Sequence, residues 1–358
     1  MTDKDFRTES SLGWNIEHDL RDILEATQDV WDSLKGATLF LTGGTGFVGT
    51  WLLESLKWAD QKLKLGLHVT ILTRNKAQFQ KKALHLASYP SFTFIEGDVR
   101  TFASPRGAFT YVIHAATDAR QSLNDDDPRQ MFDTIVSGTL RVLDFAVEKQ
   151  AEKVLHLSSG AVYGPQPDGI RRVGEDLIGL LDFSNPGFAY SEGKRGAEML
   201  CAIFEKQFSL KVAIARIFAV VGPYLPLEEH FVVGNFIRDA IDGRRIQVKG
   251  NGSPVRSYLY ASDMVIWLWR LLQDGRPGVR YNLGSENEVS IQDLARIVSS
   301  VVGNGNYEIQ GKPDIGVNPG RYVPDTTRIT TELGLDERVT LQEGIRRTAL
   351  WNGWKGIV

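Results

Sequence analysis

The chain has 358 residues, of which 42% are hydrophobic and 24% charged, as in globular proteins and unlike disordered ones. Its 41 basic and 44 acidic side chains leave a net charge of -3, so no global field attracts nucleic acid or an anionic membrane, and neither partner is expected. The single cysteine, Cys201, excludes an internal disulfide framework and fits a reducing cytoplasm.

The first segment with a clear pattern lies near the N-terminus. The leading residues, MTDKDFRTES, are polar, and no later stretch reaches the roughly 20 apolar residues of a membrane span, so a soluble cytoplasmic protein is expected. Apolar side chains then recur at helical spacing on an acidic background, at Ile16, Leu20, Ile23, Leu24, Trp31 and Leu34. This spacing predicts an amphipathic helix in an N-terminal extension, residues 1–35, that packs on the main domain or on a partner subunit.

From Gly36 onward, short runs that are apolar throughout alternate with longer amphipathic segments. The six runs are ATLFLTG, LHVTILTR, FTFIEGD, TYVIHAAT, KVLHLSS and KVAIARIFAVVG. Buried strands that alternate with helices predict an α/β fold with a Rossmann-type, doubly wound parallel sheet. We assign residues 36–224 to this domain. Residues 225–358 are assigned mainly to a smaller C-terminal substrate-binding lobe, interleaved with the last strands of the sheet.

A glycine-rich turn follows the first predicted strand. The segment TGGTGFVGTWLLESL places Gly43, Gly46 and Gly49 three residues apart, directly before a predicted helix. Glycine allows a tight turn and close backbone approach, and a helix N-terminus offers free N–H groups to a pyrophosphate. Because the turn lies between a strand and a helix, it predicts a dinucleotide site. The residues assigned to it are Gly43, Thr45, Gly46, Phe47, Val48 and Gly49.

A second group of polar residues has the order Ser, Tyr, Lys. HLSSGAVYG ends a predicted strand with Ser158 and Ser159, and YSEGKRGAEML places Tyr190 and Lys194 four residues apart on a predicted helix. This spacing stacks the two side chains on one helical face. The ammonium can then lower the pKa of the phenol from its usual value near 10 toward neutral pH.

Together these motifs resemble the short-chain dehydrogenase/reductase superfamily, and the length is similar to its extended branch, the NAD-dependent epimerase/dehydratase family that acts on nucleotide sugars. The resemblance covers nearly everything from Gly36 to the C-terminus. It implies that Tyr190 transfers a proton and that Ser159 hydrogen-bonds the substrate oxygen. Lys194 would tune Tyr190 and hold the nicotinamide ribose, while the nicotinamide carries a hydride to or from the sugar, usually at C4.

The same resemblance assigns further residues to the cofactor. In that branch the second strand often ends in an Asp that holds the adenosine ribose, whereas this chain has Thr73, Arg74 and Asn75 there. No carboxylate stands in that stretch and a guanidinium suits a 2′-phosphate, so NADP(H) is favoured and NAD(H) stays open. The end of the third strand would hold the adenine through Asp98 and Val99, and the loop after the fourth would lie beneath the nicotinamide ribose through Ala115, Ala116 and Thr117. Tyr190 and Lys194, from the predicted helix, complete the cofactor site.

The two residues after Ser159 bear on the reaction. In the family, 4,6-dehydratases carry Asp-Glu there and UDP-glucuronate decarboxylases carry a Glu, whereas this chain has Gly160 and Ala161. Neither can move a proton, so a 4-epimerase or a 4-keto-6-deoxy-sugar reductase is favoured. One alternative is a dehydratase or decarboxylase with non-standard acid and base residues. The non-enzymatic alternative is a dinucleotide-binding sensor or scaffold, against which the presence of Tyr190 and Lys194 argues.

The expected partner is a nucleotide-diphosphate sugar. NGSPVRSYLYASDM and GRYVPDTTRITTELGL match the substrate lobe of the family, and the guanidinium forks of Arg256 and Arg321 suit a diphosphate. Asn235 matches a backbone-contacting Asn of the decarboxylase-like members, and Ser158 accompanies Ser159 at the sugar.

Two polar residues of the family pattern are missing. RIFAVVGP has Ala219 and IVSGT has Ile135 where relatives carry Asn. Both replacements remove polar contacts near the substrate, which indicates an altered substrate or a less standard reaction.

The remaining expectations concern metals, a turn and the quaternary structure. The scattered residues His114, His156 and His230 have no ligand spacing, so no metal site is expected. The acidic run at residues 125–127 predicts a turn that caps the following helix. By resemblance, a homodimer would form through helices at about residues 133–148 and 190–208.

Overall fold

A computed structural model describes residues 13–117, 121–179, 181–229, 231–303, 305–312 and 319–356. The β-strands are β1 (Thr38–Thr42), β2 (His68–Thr73), β3 (Phe92–Glu96), β4 (Tyr111–His114), β5 (Lys153–Ser159), β6 (Val212–Ile217), β7 (Val220–Val221), β8 (Ile246–Val248), β9 (Val255–Arg256), β10 (Leu259–Tyr260), β11 (Arg280–Leu283), β12 (Val289–Ser290), β13 (Tyr307–Ile309) and β14 (Arg321–Tyr322).

The α-helices are α1 (Glu17–Ala26), α2 (Gln28–Ser33), α3 (Phe47–Leu63), α4 (Lys76–Lys82), α5 (Leu84–Ala87), α6 (Gln121–Asp126), α7 (Pro128–Glu148), α8 (Ala189–Phe208), α9 (Val232–Ile241), α10 (Ala261–Asp274), α11 (Ile291–Val301), α12 (Thr327–Leu333) and α13 (Leu341–Trp351). Two short 3-10 helices span Gly160–Tyr163 and Pro186–Phe188. Within the described residues, no helix is both long enough and apolar enough to span a bilayer.

The central element is a seven-stranded sheet in the order β11-β6-β5-β4-β1-β2-β3, with every pair parallel. The six apolar runs coincide with β1 to β6, so the prediction of a Rossmann-type parallel sheet is confirmed. The seventh strand, β11, comes from the C-terminal part of the chain. The strand order reverses between β1 and β4, and in such sheets ligands bind at the carboxyl ends of the strands beside this reversal.

Helices cover both faces of the sheet, which explains why its strands are apolar throughout. On one face, α7 and α8 pack on β1, β4, β5 and β6 through a core that contains Phe40, Phe145 and Phe204. On the other face, α2, α3 and α10 pack through a core that contains Trp31, Trp51 and Trp267. Helix α8 therefore packs both on the sheet and along its neighbour α7.

The N-terminal extension packs on the chain's own main domain. Two helices replace the single predicted helix, because α1 ends at Thr27, whose hydroxyl donates to the Ile23 carbonyl at 2.6 Å. The buried Asp19 carboxylate accepts from Tyr260 at 2.9 Å and from Arg347 at 2.6 Å, which ties α1 to two elements of the C-terminal half. Burial raises the pKa of Asp19, and the Arg347 guanidinium opposes that shift.

The C-terminal half builds a second core beside the sheet. Helices α9, α11 and α13 enclose residues such as Phe236, Leu294 and Ile345. Three short strands, β9, β12 and β14, form a small sheet within this half. Because β11 joins the main sheet, the two halves are interleaved in sequence; the domain limits at residues 35 and 224 stay a prediction.

Candidate active site

The glycine-rich turn joins β1 to α3 with backbone-to-backbone contacts. Gly43 has φ +72°, and a Cβ at this residue would lie 2.5 Å from the carbonyl carbon and oxygen of Ala115. A Cβ on Gly49 would lie 2.2 Å from the Gly43 carbonyl oxygen. These two positions require glycine, because the end of β4 and the first turn of α3 both press on the turn.

The N-terminus of α3 can receive an anion. Gly46 is the N-cap in an extended conformation, and no side chain of the described residues caps the helix there. The N–H groups of Phe47, Val48 and Gly49 occupy the first helical turn, where intrahelical partners are lacking. Backbone donors and the positive helix end suit a pyrophosphate, so the residues present fit a dinucleotide cofactor.

The adenosine end of the predicted site carries both signs of charge. Arg74 follows the last residue of β2 and is exposed. Glu96, the last residue of β3, is paired in register with Thr73 and accepts the Lys76 N–H at 2.8 Å. Glu96 is not among the residues predicted from sequence, because it comes from the neighbouring strand. The stretch after β2 thus has a carboxylate beside it, which corrects the expectation that none is available.

Two other predicted cofactor residues have structural partners here. The Thr45 and Thr73 hydroxyls lie 3.4 Å apart and so join the glycine turn to the end of β2. The Asn75 side chain caps α4 by accepting the Gln78 N–H at 2.9 Å. Asn75 is therefore engaged in starting a helix, which leaves its amide N–H₂ as the part that can reach a ligand.

Asp98 and Val99 are held firmly at the end of β3. Both carboxylate oxygens of Asp98 accept from Arg100, at 2.9 and 2.7 Å, and this pairing lowers the pKa of Asp98 to about 2. Val99 is buried against α7, where a Cβ on Gly138 would lie 2.8 Å from Val99 Cγ1. These contacts hold the segment after β3 in place, and the adenine is predicted to lie against it.

The residues predicted to be catalytic meet at the carboxyl ends of β4 and β5. Lys194 Nζ donates to Thr117 Oγ1 at 2.7 Å and to the Leu157 carbonyl at 2.8 Å, and it lies 5.9 Å from the ring centroid of Tyr190. Ser159, the last residue of β5, lies close enough to Tyr190 to lower the pKa of that phenol. The structure thus brings together Ser159, Tyr190, Lys194 and the loop after β4, where the Ala116 N–H is anchored on Thr42 Oγ1 at 3.2 Å.

Burial shifts the pKa values of Lys194 and Tyr190 in the directions that favour their neutral forms. It lowers the pKa of Lys194 to about 8, with the Glu198 carboxylate acting in the opposite direction. Burial also raises the pKa of Tyr190, against the opposite effect of the nearby Ser159. Ile135 contributes to this dry environment, since it belongs to the apolar cluster on which Tyr190 packs. The replacement of the family Asn by Ile135 therefore has a local consequence, because it removes a polar group from the surroundings of Tyr190.

Ser158 points to a different partner. Its hydroxyl donates to Glu198 at 2.6 Å, and Glu198 forms a buried ion pair with Arg216 at 2.6 Å. Arg216 in turn donates to the Tyr163 hydroxyl at 2.7 Å. This network fastens α8 to β5 and β6, so the geometry of Ser158 supports a structural role and gives no support to its predicted contact with the sugar.

An aromatic pair lies against Gly160, the residue that follows Ser159. A Cβ on Gly160 would lie 2.6 Å from Phe218 Cζ and 2.7 Å from the Tyr322 hydroxyl oxygen, and the two rings are 4.6 Å apart. The space that a side chain at residue 160 would use is therefore filled by Phe218, which follows β6, and by Tyr322 of β14. Tyr322 is not among the residues predicted from sequence, since its place depends on the pairing of β14 with β9.

The predicted substrate arginines are close to this pair but differ in their partners. Arg256 is the register partner of Tyr322 and donates to two carbonyls, of Val255 at 2.8 Å and of Gly320 at 3.0 Å. Arg321 forms an ion pair with Glu288 at 2.6 Å. The charge of Arg321 is neutralised by Glu288, whereas the carbonyl partners of Arg256 carry no net charge. Arg256 is therefore the better candidate for binding a diphosphate. Asn235 lies half-buried on α9.

His114 and His156 are buried within the fold, and the acidic residues at 125–127 lie at helix ends. His114 Nδ1 and Nε2 lie 2.8 and 3.0 Å from the hydroxyls of Thr42 and Thr139, and burial lowers the pKa of His114 to about 3. His156 is buried beside it, with ring centroids 5.3 Å apart; His230 lies outside the described residues. Across the described ranges, no group of three potential ligands could hold a metal ion. Asp127 caps α7 as predicted, but the two acidic residues before it end α6 instead of forming a turn.

Comparison with known proteins decides the family. Residues 39–284 match the profile of the NAD dependent epimerase/dehydratase family. The chain belongs to this family. UDP-glucuronic acid decarboxylase 1 of Xenopus tropicalis is 30% identical over 311 residues, which are 87% of this chain and 70% of that protein. UDP-glucuronic acid decarboxylase 5 of Arabidopsis thaliana is 30% identical over 312 residues, which are 86% of each chain.

Solved structures of nucleotide-sugar enzymes have the same fold. A UDP-glucose 4-epimerase of Thermotoga maritima, solved with UDP-glucose, has a TM-score of 0.74 at 22% identity and covers 88% of this chain and 98% of its own. A dTDP-glucose 4,6-dehydratase of Streptomyces venezuelae, solved with NAD, has a TM-score of 0.74 at 24% identity, with 88% and 96% covered. The family resemblance expected from the motifs is therefore confirmed, while these identities establish the fold alone.

Proposed function

We propose that the chain binds a nicotinamide dinucleotide and a nucleotide-diphosphate sugar and exchanges a hydride between them. The observation that carries this proposal is the meeting of Ser159, Tyr190 and Lys194 at the strand ends beside the glycine turn. The order of these groups matches the Ser-Tyr-Lys arrangement expected from sequence. Their side chains come from β5 and α8, two elements held together by the Ser158, Glu198 and Arg216 network.

Side chains of the protein transfer the proton, and a bound nicotinamide would accept the hydride. Tyr190 takes the proton of the substrate hydroxyl, and Ser159 hydrogen-bonds the same oxygen. With a pKa of about 8, Lys194 is mostly protonated at neutral pH and favours the Tyr190 phenolate. The apolar surroundings strengthen this interaction, because charges attract more strongly where water is excluded.

The relatives favour one fate for the oxidised sugar. The 30%-identical relatives are UDP-glucuronic acid decarboxylases, which supports the decarboxylase alternative of the sequence analysis over the 4-epimerase or reductase. Oxidation at C4 of a uronic acid makes its carboxylate β to a ketone. The bond to that carboxylate then breaks with loss of CO₂, and the electron pair becomes an enolate. C5 takes a proton from water, the hydride returns to C4, and Tyr190 returns its proton to O4. This sequence does not require a carboxylate at Gly160 or Ala161.

The second candidate is hydride transfer without carbon–carbon cleavage. Gly160 and Ala161 have no ionisable side chain, as the sequence analysis noted for a 4-epimerase or a 4-keto-6-deoxy-sugar reductase. Such an enzyme would use the same three residues and the same cofactor. The two candidates differ only in the substrate accepted and in what happens to the 4-keto intermediate.

The choice between NAD(H) and NADP(H) rests on two side chains. The family is NAD-dependent by its description. A preference for NADP(H) stays a prediction based on Arg74, whose guanidinium suits a 2′-phosphate. Glu96 opposes it, because a carboxylate beside Thr73 would repel that phosphate and suits a ribose diol.

A second copy of the chain is proposed as the partner of α7 and α8. These helices pack on each other and leave large apolar side chains exposed on their outer faces, namely Phe132, Leu140, Met199, Ile203 and Phe208. Exposed apolar clusters of this kind mark interaction surfaces. The pair of helices corresponds to the expected four-helix homodimer interface.

The test is a panel of UDP-glucuronic acid, UDP-glucose, UDP-galactose and a nucleotide-linked 4-keto-6-deoxy sugar, each with NAD⁺, NADH and NADPH. Released CO₂ with a nucleotide pentose identifies a decarboxylase, inversion at C4 an epimerase, and net consumption of reduced cofactor a reductase. Tyr190→Phe should abolish the observed reaction and leave cofactor affinity unchanged. Tyr281→Phe is the matched control, because its hydroxyl bonds to Glu332, away from the site. Cofactor binding without any turnover would favour the sensor or scaffold alternative.

A further inference from the structure

The space beside Gly160 is filled by two aromatic rings from other parts of the chain. A Cβ on Gly160 would lie 2.6 Å from Phe218 Cζ and 2.7 Å from the Tyr322 hydroxyl oxygen. Both distances are shorter than real Cβ contacts, so these rings and a side chain at residue 160 exclude each other. A hydroxyl group from β14 therefore lies next to the residue that follows Ser159.

The packing of its ring holds Tyr322 in this position. The ring centroid lies 4.6 Å from that of Phe218, and the side chain packs on a buried cluster that also contains Val162, Tyr163 and Val173. The pairing of β14 with β9 fixes the strand that carries it. Phe218 is buried, whereas Tyr322 keeps part of its surface exposed. Tyr322 is therefore the member of the pair that a bound molecule can contact.

The charges around this hydroxyl favour an anionic ligand. Burial raises the pKa of Tyr322, so the phenol is neutral near pH 7 and can donate a hydrogen bond. Arg256, Tyr190 and Tyr163 are the titratable groups that affect this pKa most, and among these three Arg256 alone has a permanent charge. Arg256 is also the register partner of Tyr322 in the pair of β9 and β14. A neutral donor near a guanidinium suits a carboxylate, which an acidic side chain at residue 160 would repel.

The proposed function places one exocyclic group of the sugar near Tyr322. Ser159 and Tyr190 would hold the oxygen at C4, and Gly160 follows Ser159 at the usual Cα separation of about 3.8 Å. C5 is one of the two ring carbons next to C4, and in a uronic acid it carries the carboxylate. Xylose has the same ring without that group, so the two sugars differ only at this position.

We propose that Tyr322 is a specificity-determining residue that donates a hydrogen bond to the C5 carboxylate of a bound uronic acid. The inference rests on the proposed function, because that function places the sugar beside Ser159. It deepens that function by naming a residue that separates uronic acids from sugars without a carboxylate. It also gives a reason for glycine at residue 160, since a side chain there would displace the Tyr322 hydroxyl.

The experiment is calorimetric titration of Tyr322→Phe, which keeps the ring, with UDP-glucuronic acid and with UDP-xylose. The protein is first saturated with NADH or NADPH, whichever binds more tightly, so that neither sugar is oxidised during the titration. Losing a hydrogen bond to a charged group should raise the Kd of UDP-glucuronic acid about 10- to 100-fold. The Kd of UDP-xylose should stay within about twofold of wild type, because this sugar has no carboxylate. Tyr281→Phe, whose hydroxyl bonds to Glu332, is the matched control and should change neither Kd.

A second variant tests the charge of the bound group. Tyr322→Glu adds a negative charge beside the carboxylate, so it should weaken UDP-glucuronic acid more than Tyr322→Phe does. A Kd no higher than that of Tyr322→Phe would contradict the assignment.

The outcomes separate this inference from the proposed function. An unchanged Kd of UDP-glucuronic acid in Tyr322→Phe would refute the role of Tyr322, and so would an equal loss of affinity for both sugars, which indicates a general effect on packing. A wild-type protein that binds UDP-glucuronic acid no more tightly than UDP-xylose would refute it as well. The proposed hydride exchange fails on a different result, namely turnover retained in Tyr190→Phe.

Discussion

The contact between Gly49 and Gly43 makes a sharp prediction about cofactor binding. In Gly49→Ala the new Cβ would lie 2.2 Å from the Gly43 carbonyl oxygen and 2.5 Å from Gly44 Cα, both backbone atoms that cannot rotate away. Ordinary contacts begin near 3.4 Å, so α3 and the turn must separate by about 1.2 Å. Overpacking of this kind costs about 1–3 kcal/mol of folding free energy.

The same displacement sets the expected loss of affinity. A separation of that size stretches a phosphate hydrogen bond of about 2.9 Å beyond its useful range. One hydrogen bond to a charged group contributes about 1.5–3 kcal/mol, so its loss should raise the Kd for the dinucleotide about 10- to 100-fold. Isothermal titration calorimetry with NAD⁺ and with NADP⁺ measures this directly. Circular dichroism verifies that the variant is folded at the titration temperature.

Gly250→Ala is the matched control. A Cβ at Gly250 would meet nothing within 4 Å, and its backbone does not have a positive φ. Its Kd should therefore equal that of the wild-type protein. A folded Gly49→Ala variant that binds the dinucleotide within twofold of wild type would refute the assignment of this turn to the pyrophosphate.

Three further outcomes follow from the geometry. Arg74→Ala should weaken NADPH far more than NADH, and equal losses would remove the basis for an NADP(H) preference. Because burial lowers the pKa of Lys194 to about 8, its charge is lost as the pH rises through that value, so kcat should fall on the alkaline side; a flat alkaline profile would contradict that role. The double variant Leu140→Glu and Met199→Glu places charges on the exposed faces of α7 and α8. It should halve the mass measured by light scattering, and a wild-type monomer would exclude the dimer.

The sheet and the catalytic trio were accessible from sequence because their signals are local. Strands buried on both faces appear as uniformly apolar runs, and the four-residue spacing of Tyr190 and Lys194 already places them on one helical face. The glycine spacing indicates the turn for the same reason, since the strand and the helix that flank it are neighbours in the chain. Each of these features is formed by residues that lie close together in the sequence.

Other parts of the site depend on contacts between distant segments. Ser158 and Ser159 look equivalent in sequence, yet the first donates to Glu198 on α8 and the second meets Tyr190. Glu96 reaches the end of β2 only through strand pairing, and Tyr322 reaches Gly160 across more than 160 residues. Pairing register and the packing around Gly160 determine these positions, and neither leaves a local pattern.

The central claim is that this site exchanges a hydride between a nucleotide sugar and a nicotinamide. The most direct measurement is transfer of deuterium from UDP-glucuronic acid or UDP-glucose labelled at C4 to the cofactor, detected by mass spectrometry of the cofactor recovered from the denatured protein. We expect deuterium in the cofactor of the wild-type protein with at least one of these sugars, and none in that of Tyr190→Phe. Unlabelled cofactor in the wild-type protein with both sugars, together with no oxidation of NADH or NADPH by a nucleotide-linked 4-keto-6-deoxy sugar, would contradict the claim, and so would equal labelling in Tyr190→Phe.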